Sequence, residues 1–205
     1  GISRFDIERE RLTRSYAAAR DRLWEERNDA GYWEVELSTS ALSTATAVVA
    51  LGLVDEAKHR EVIRRASDWL VTHQNDDGGW GDTDKSYSNI STTLLCWSAL
   101  TRFGDESCAT AKQKARWWIR DYVGSLEAGR IAETVSARYG KDRTFSVPIL
   151  MLCAICGTLG KNGWRRVLRL PFELAIFPRR WFAAMRLPVV SYALPALIAI
   201  GYARR

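Results

Sequence analysis

Two turns of the same design, 47 positions apart, constrain this chain more than anything else in it. The first reads Arg27-Asn28-Asp29-Ala30-Gly31-Tyr32-Trp33, the second Gln74-Asn75-Asp76-Asp77-Gly78-Gly79-Trp80. Both carry glycine at the fifth place and tryptophan at the seventh. The glycine suits a tight turn that a side chain would hinder. The tryptophan can fold back onto the end of the preceding helix. Gln74 can join backbone groups at one helix end to those at the next helix start. This is a stapling device between layers of helices, structural and not catalytic. The first copy has Arg27 in the glutamine place and is degenerate in that respect.

The segments around these turns read as helices throughout. Arg4 to Arg27 is amphipathic, with Phe5, Leu12, Tyr16, Ala19 and Leu23 at spacings of three, four and seven. It reads as an outer helix and ends at Asn28-Asp29-Ala30-Gly31. Ser38 to Leu53 is nearly uncharged and should be buried on most sides. His59 to Thr72 is amphipathic again, with Val62, Ile63, Ala66, Trp69 and Leu70 expected inward. Asn89 to Phe103 is uncharged, Thr110 to Val123 amphipathic and ending at Gly124. Thr144 to Leu159 is apolar, with Pro148 tolerable only in a first turn. Glu127 to Asp142, charged and mixed in period, reads as a loop or a short distorted helix. Outer and inner helices therefore alternate. The expected fold is all-α, a partial α/α toroid, or double-layered helical barrel, on QxxxGxW-type repeats. Residues 1–30 would be a leading outer helix, 31–160 the repeat core and 161–205 a Pro- and aromatic-rich segment.

The inner helices begin alike, with Ser40-Ala41-Leu42-Ser43 in one and Ser88-Asn89-Ile90-Ser91 in the next. A Ser or Asn there caps the helix. Of the two histidines, His59 opens an outer helix and His73 ends one, so exposed or capping roles are expected.

Charge and cysteine usage narrow the function classes. Thirty basic against twenty-four acidic residues leave a net charge of +6, without the dense basic stripe of a nucleic-acid binder. This balance suits an anionic membrane surface better. Nine tryptophans are many for a plain bundle and point to a lined cavity or a membrane-facing surface. Cys96, Cys108, Cys153 and Cys156 have no histidine at metal-ligand spacing. Cys153 and Cys156 lie in an apolar run and read as buried structural thiols, so no metal and no cofactor are expected. A reducing compartment is the default. No signal peptide is evident, and Pro195 interrupts the longest apolar stretch, Val189 to Tyr202.

Beyond Asn162 the character changes. Pro171, Pro178, Pro188 and Pro195 divide the remainder, and Ile176-Phe177-Pro178-Arg179-Arg180-Trp181-Phe182 alternates bulky apolar and cationic groups. Two readings stay open: aromatic and arginine side chains at a lipid interface, or a loop packing aromatics on its own core.

Gln74, Gly78 and Trp80 with the preamble Ala66-x-x-Trp69-Leu70, the earlier Gly31-Tyr32-Trp33, and later Gly157-x-Leu159-Gly160, Trp164, Leu170-Pro171-Phe172-Glu173-Leu174 and Ser191-Tyr192-Ala193 together resemble the N-terminal region of the squalene-hopene cyclase family, within the class II terpene and oxidosqualene cyclases. The resemblance runs from about Tyr16 to Ala203. It implies part of an all-helical enzyme that folds a linear polyprenyl substrate, such as squalene, in an apolar cavity. In that family an aspartic acid of a D-x-D-D motif in the second half protonates an alkene or epoxide, and aromatic faces stabilise the carbocation that follows. It further implies peripheral, monotopic contact with the cytoplasmic side of a membrane, or a cytoplasmic location, and no nucleic acid.

Carried over residue by residue, the resemblance yields no catalytic residue. Ser88-Asn89-Ile90-Ser91-Thr92 stands where an acid motif would lie, and it holds no carboxylate. Asp82-Thr83-Asp84-Lys85 sits too close to the turn and reads as a solvated loop. An acid that protonates an alkene must itself be neutral, for which a carboxylate beside a lysine is poorly suited. Tyr192 falls at the place of a cavity tryptophan, and Leu194 replaces the family arginine. Phe172, Phe177, Trp181 and Phe182 would line a membrane or channel mouth. Glu173 matches a family glutamate with a structural role.

The chain therefore reads as the non-protonating, N-terminal portion of a cyclase, inactive alone. Its expected partners are a hydrophobic isoprenoid substrate and a C-terminal catalytic half or partner subunit, or a second copy covering an open apolar flank. The alternative is a non-catalytic hydrophobic-ligand or protein-interaction module on a toroid scaffold. A protein prenyltransferase would need an Asp, Cys and His zinc set that two histidines do not provide.

Overall fold

The structure is a computed structural model that describes residues 9–34, 38–140, 143–167 and 180–181. Among these the chain is helical without any β-sheet, and falls into two compact units, 1–38 and 39–205.

The first unit holds helix α1 (Arg9–Glu25) and the turn after it. No residue of α1 is buried, and the expected stripe is open: Leu12, Tyr16 and Leu23 are 57%, 67% and 54% exposed. An amphipathic pattern marks a face that can be buried, and a tertiary partner decides whether it is. Salt bridges such as Arg20 to Asp21 at 2.7 Å lie at the surface and contribute little.

The second unit is built from α2 (Ala41–Thr72), α3 (Ile90–Phe103), α4 (Ala109–Val123), α5 (Ala128–Tyr139) and α6 (Arg143–Ile155), with single 3-10 turns at Glu106–Cys108 and Gly163–Arg166. Arg180 and Trp181 are also helical. Helix α2 is two helical segments joined at a kink. Asp55 takes an extended conformation, φ −165° and ψ 93°, and its carboxylate accepts the N–H of Lys58 at 2.9 Å. This N-cap starts the outer segment four residues ahead of the expected His59. Its buried stripe is Ile63, Ser67 and Leu70, with Ala66 and Trp69 half-buried. Val62, expected inward, is exposed because it lies a fifth of a turn or more off that stripe.

Helix α3 buries ten of its fourteen residues, which makes it the centre of the core. It packs on α2, α4 and α6. Its lack of charge before Arg102 follows from that position, since an ion held between three helices would have no water. Each fully buried Leu or Ile there contributes roughly 1.5–3 kcal/mol. The first segment of α2 was expected to be buried on most sides, but buries only Ala41, Ala45, Val48 and Val49, the face towards α3. Leu42, Thr46, Ala50 and Leu53 are exposed. Gly52 allows the close approach of the two helices, because a Cβ there would run into the Phe103 ring.

Helix α4 buries Ala111, Ala115, Ile119 and Val123 and ends at Gly124, φ 78°, whose N–H reaches the Arg120 carbonyl at 2.9 Å. Two expectations need correction beyond it. Residues 128–139, read as a loop or distorted helix, form the regular helix α5, with Ile131, Ala132 and Val135 buried against its neighbour α6. Arg130 and Glu133 lie on the opposite face and pair at 3.0 Å. Pro148 lies in the second turn of α6, not the first. Its missing N–H leaves only the Thr144 carbonyl without a helical donor, so the loss stays at the helix start. The same helix ends earlier than Leu159. Gly157 turns the chain at φ 78°, and the Cys153 carbonyl takes the Thr158 N–H at 3.1 Å.

Candidate functional site

The described polar groups converge on the turn after α2 and the start of α3. The indole of Trp80 is fully buried and donates to the Leu70 carbonyl at 2.8 Å. That carbonyl belongs to the last turn of α2, where helical donors run out. Gln74 Nε2 donates to the Gly78 carbonyl at 2.8 Å and to the Ala111 carbonyl at 3.0 Å. The bridge thus runs to α4, the next outer helix, and passes over α3. Gly78 sits at φ 88°, and a Cβ there would meet the Lys114 carbonyl oxygen at 3.0 Å.

The first turn repeats this bonding inside its own unit. Trp33 Nε1 donates to the Leu23 carbonyl, ten residues back, as Trp80 does to Leu70. Arg27 Nε donates to the Gly31 carbonyl at 2.8 Å, four residues on, as Gln74 does to Gly78. The arginine therefore reproduces the local half of the glutamine's task. Its guanidinium also stands 5.3 Å and 5.6 Å from the rings of Trp24 and Trp33.

The sequence reading missed Asp77. Its Oδ1 accepts the Gly79 N–H at 2.9 Å and the Ser88 hydroxyl at 2.7 Å, while its Oδ2 accepts the Trp118 indole at 3.0 Å. Burial by itself would raise this carboxyl. The hydrogen bonds from Gly79, Ser88 and Trp118 favour the charged form, and the net result lies below the ordinary value. The signal in the sequence was the Asp-Gly-Gly run, where an acceptor precedes two uncrowded N–H groups. Trp118, 41 residues on, carried no such cue.

Asp82 is exposed but not idle. Its Oδ1 accepts Asn89 Nδ2 at 2.9 Å and the Thr92 hydroxyl at 2.6 Å. Asn89 caps α3 by accepting the Thr92 N–H at 3.0 Å. Ser88 to Thr92 is therefore a capping and anchoring cluster, and Asp82 holds its first turn. Ser91, deeper in, bonds the Tyr139 hydroxyl at 2.8 Å and so ties α3 to α5.

All four cysteines are buried and free. Burial pushes Cys153 up to about 11 and Cys156 up to about 12. Among the described residues no group of three His, Cys, Asp or Glu is disposed to hold a metal ion, and no helix is long and apolar enough to cross a membrane. His73 caps α2 and stacks on Trp69 with ring centroids 4.0 Å apart. Trp181 is exposed on a helical residue. Tyr192, Phe172, Phe177 and Phe182 lie outside the described residues, as does Glu173.

A family model described as the squalene-hopene cyclase N-terminal domain matches residues 16–193. The chain belongs to that family. One curated relative is a terpentedienyl-diphosphate synthase of Kitasatospora griseola, 32% identical over 122 residues. That alignment covers 56% of this chain and 22% of the relative, so the chain spans about a fifth of the relative's length. No solved structure matches. Within a cyclase-type N-terminal domain the turn-and-cap network is a scaffold. It holds helix ends together through the bonds of Gln74, Trp80, Asp77, Asp82 and Asn89.

Proposed function

We propose that this chain is the N-terminal, non-protonating portion of a class II terpene cyclase. It would form part of an α/α toroid built on QxxxGxW repeats, and supply wall to a cavity in which a linear polyprenyl substrate is cyclised by a carbocation cascade. The observation that carries this reading is the staple at Gln74 and Trp80, combined with the use of Asn89, Thr92 and Asp82 for capping at the start of α3. Asp77, Asp82, Ser88, Asn89 and Thr92 at that rim are all engaged in hydrogen bonds that hold helix ends. The proton donor therefore comes from elsewhere, from a second half or partner chain with a D-x-D-D motif, and the chain alone is inactive.

Tyr192 would stand in the cavity wall, and Phe172, Phe177, Trp181 and Phe182 at the mouth through which an apolar substrate enters. The relative's name places a diphosphate on a terpene product. A linear polyprenyl diphosphate is thus a substrate to set beside squalene. The test is co-expression with a chain bearing D-x-D-D, followed by incubation with each substrate and analysis of cyclised products. Cyclisation by the pair and by neither chain alone is expected. Cyclisation by this chain alone, or by its partner without it, would sink the proposal.

A further inference from the structure

We draw no further inference here: the strongest candidate, the exposed apolar stripe of α1 at Leu12, Tyr16 and Leu23, carries none, because nothing in the structure shows what covers it.

Discussion

Gln74 donates one side-chain amide to the carbonyl of Ala111, 37 residues on, at 3.0 Å, while the same nitrogen holds the Gly78 carbonyl at 2.8 Å. One nitrogen thus fixes the shape of a turn and the distance between two outer helices. Gln74→Ala should lower stability by about 1–2 kcal/mol, since two half-buried carbonyls lose a donor. Urea denaturation monitored by far-ultraviolet circular dichroism reads this directly. Arg27→Ala removes only the local bond and the ring contacts at the first turn. It should cost less than Gln74→Ala in the same assay.

Trp80 separates hydrogen bonding from volume. Trp80→Phe keeps much of the ring but leaves the Leu70 carbonyl without its donor, a cost of about 1–3 kcal/mol. Trp80→Ala also opens a cavity in the core, for a total of about 3–5 kcal/mol. Equal losses from the two substitutions in chemical denaturation would mean that the hydrogen bond contributes nothing.

Two glycines with the same backbone sign should respond differently to alanine. Gly78 at φ 88° faces the Lys114 carbonyl, whereas Gly124 at φ 78° has nothing within 4 Å of a built Cβ. Gly124→Ala carries only the left-handed penalty of about 1 kcal/mol. Gly78→Ala adds a steric push on α4 and should lower the melting temperature clearly further.

Asp77 predicts an acid-sensitive turn. Its folded carboxyl lies below the ordinary value of 3.8, so folding favours the ionised form. That stabilisation is present above the unfolded value and is lost as pH falls through the folded one. Stability of the unsubstituted chain should therefore decline below about pH 4. Asp77→Asn should be less stable at neutral pH and show a smaller decline. Melting curves from pH 7 down to pH 3 compare the two.

The thiols should be silent in the folded protein. Cys96, Cys108, Cys153 and Cys156 are buried, and Cys153 and Cys156 are pushed up to about 11 and about 12. The reactive thiolate is scarce at pH 8 and sheltered as well. A chromogenic disulfide reagent should label none quickly without denaturant and all four in urea. Rapid labelling of Cys153 or Cys156 in the native state would contradict their structural role.

The all-helical class and the family were legible in the sequence, because each depends on local chemistry. Periodicity of 3.6 marks a helix, glycine a left-handed turn, Ser or Asn a cap, and these act over a few residues. Tertiary structure decided which faces are covered. Within its own unit the stripe of Leu12, Tyr16 and Leu23 is exposed, whereas the charged run at Ala128–Tyr139 lacked a clear pattern and became a packed helix on α6. It also decided what the turn's carboxylate does, since Asp77 meets Trp118 only once α4 has docked. Burial and cross-helix hydrogen bonds need partners distant in sequence. A single segment's pattern states what a face can do, and only the packed chain supplies the neighbour that makes it do so.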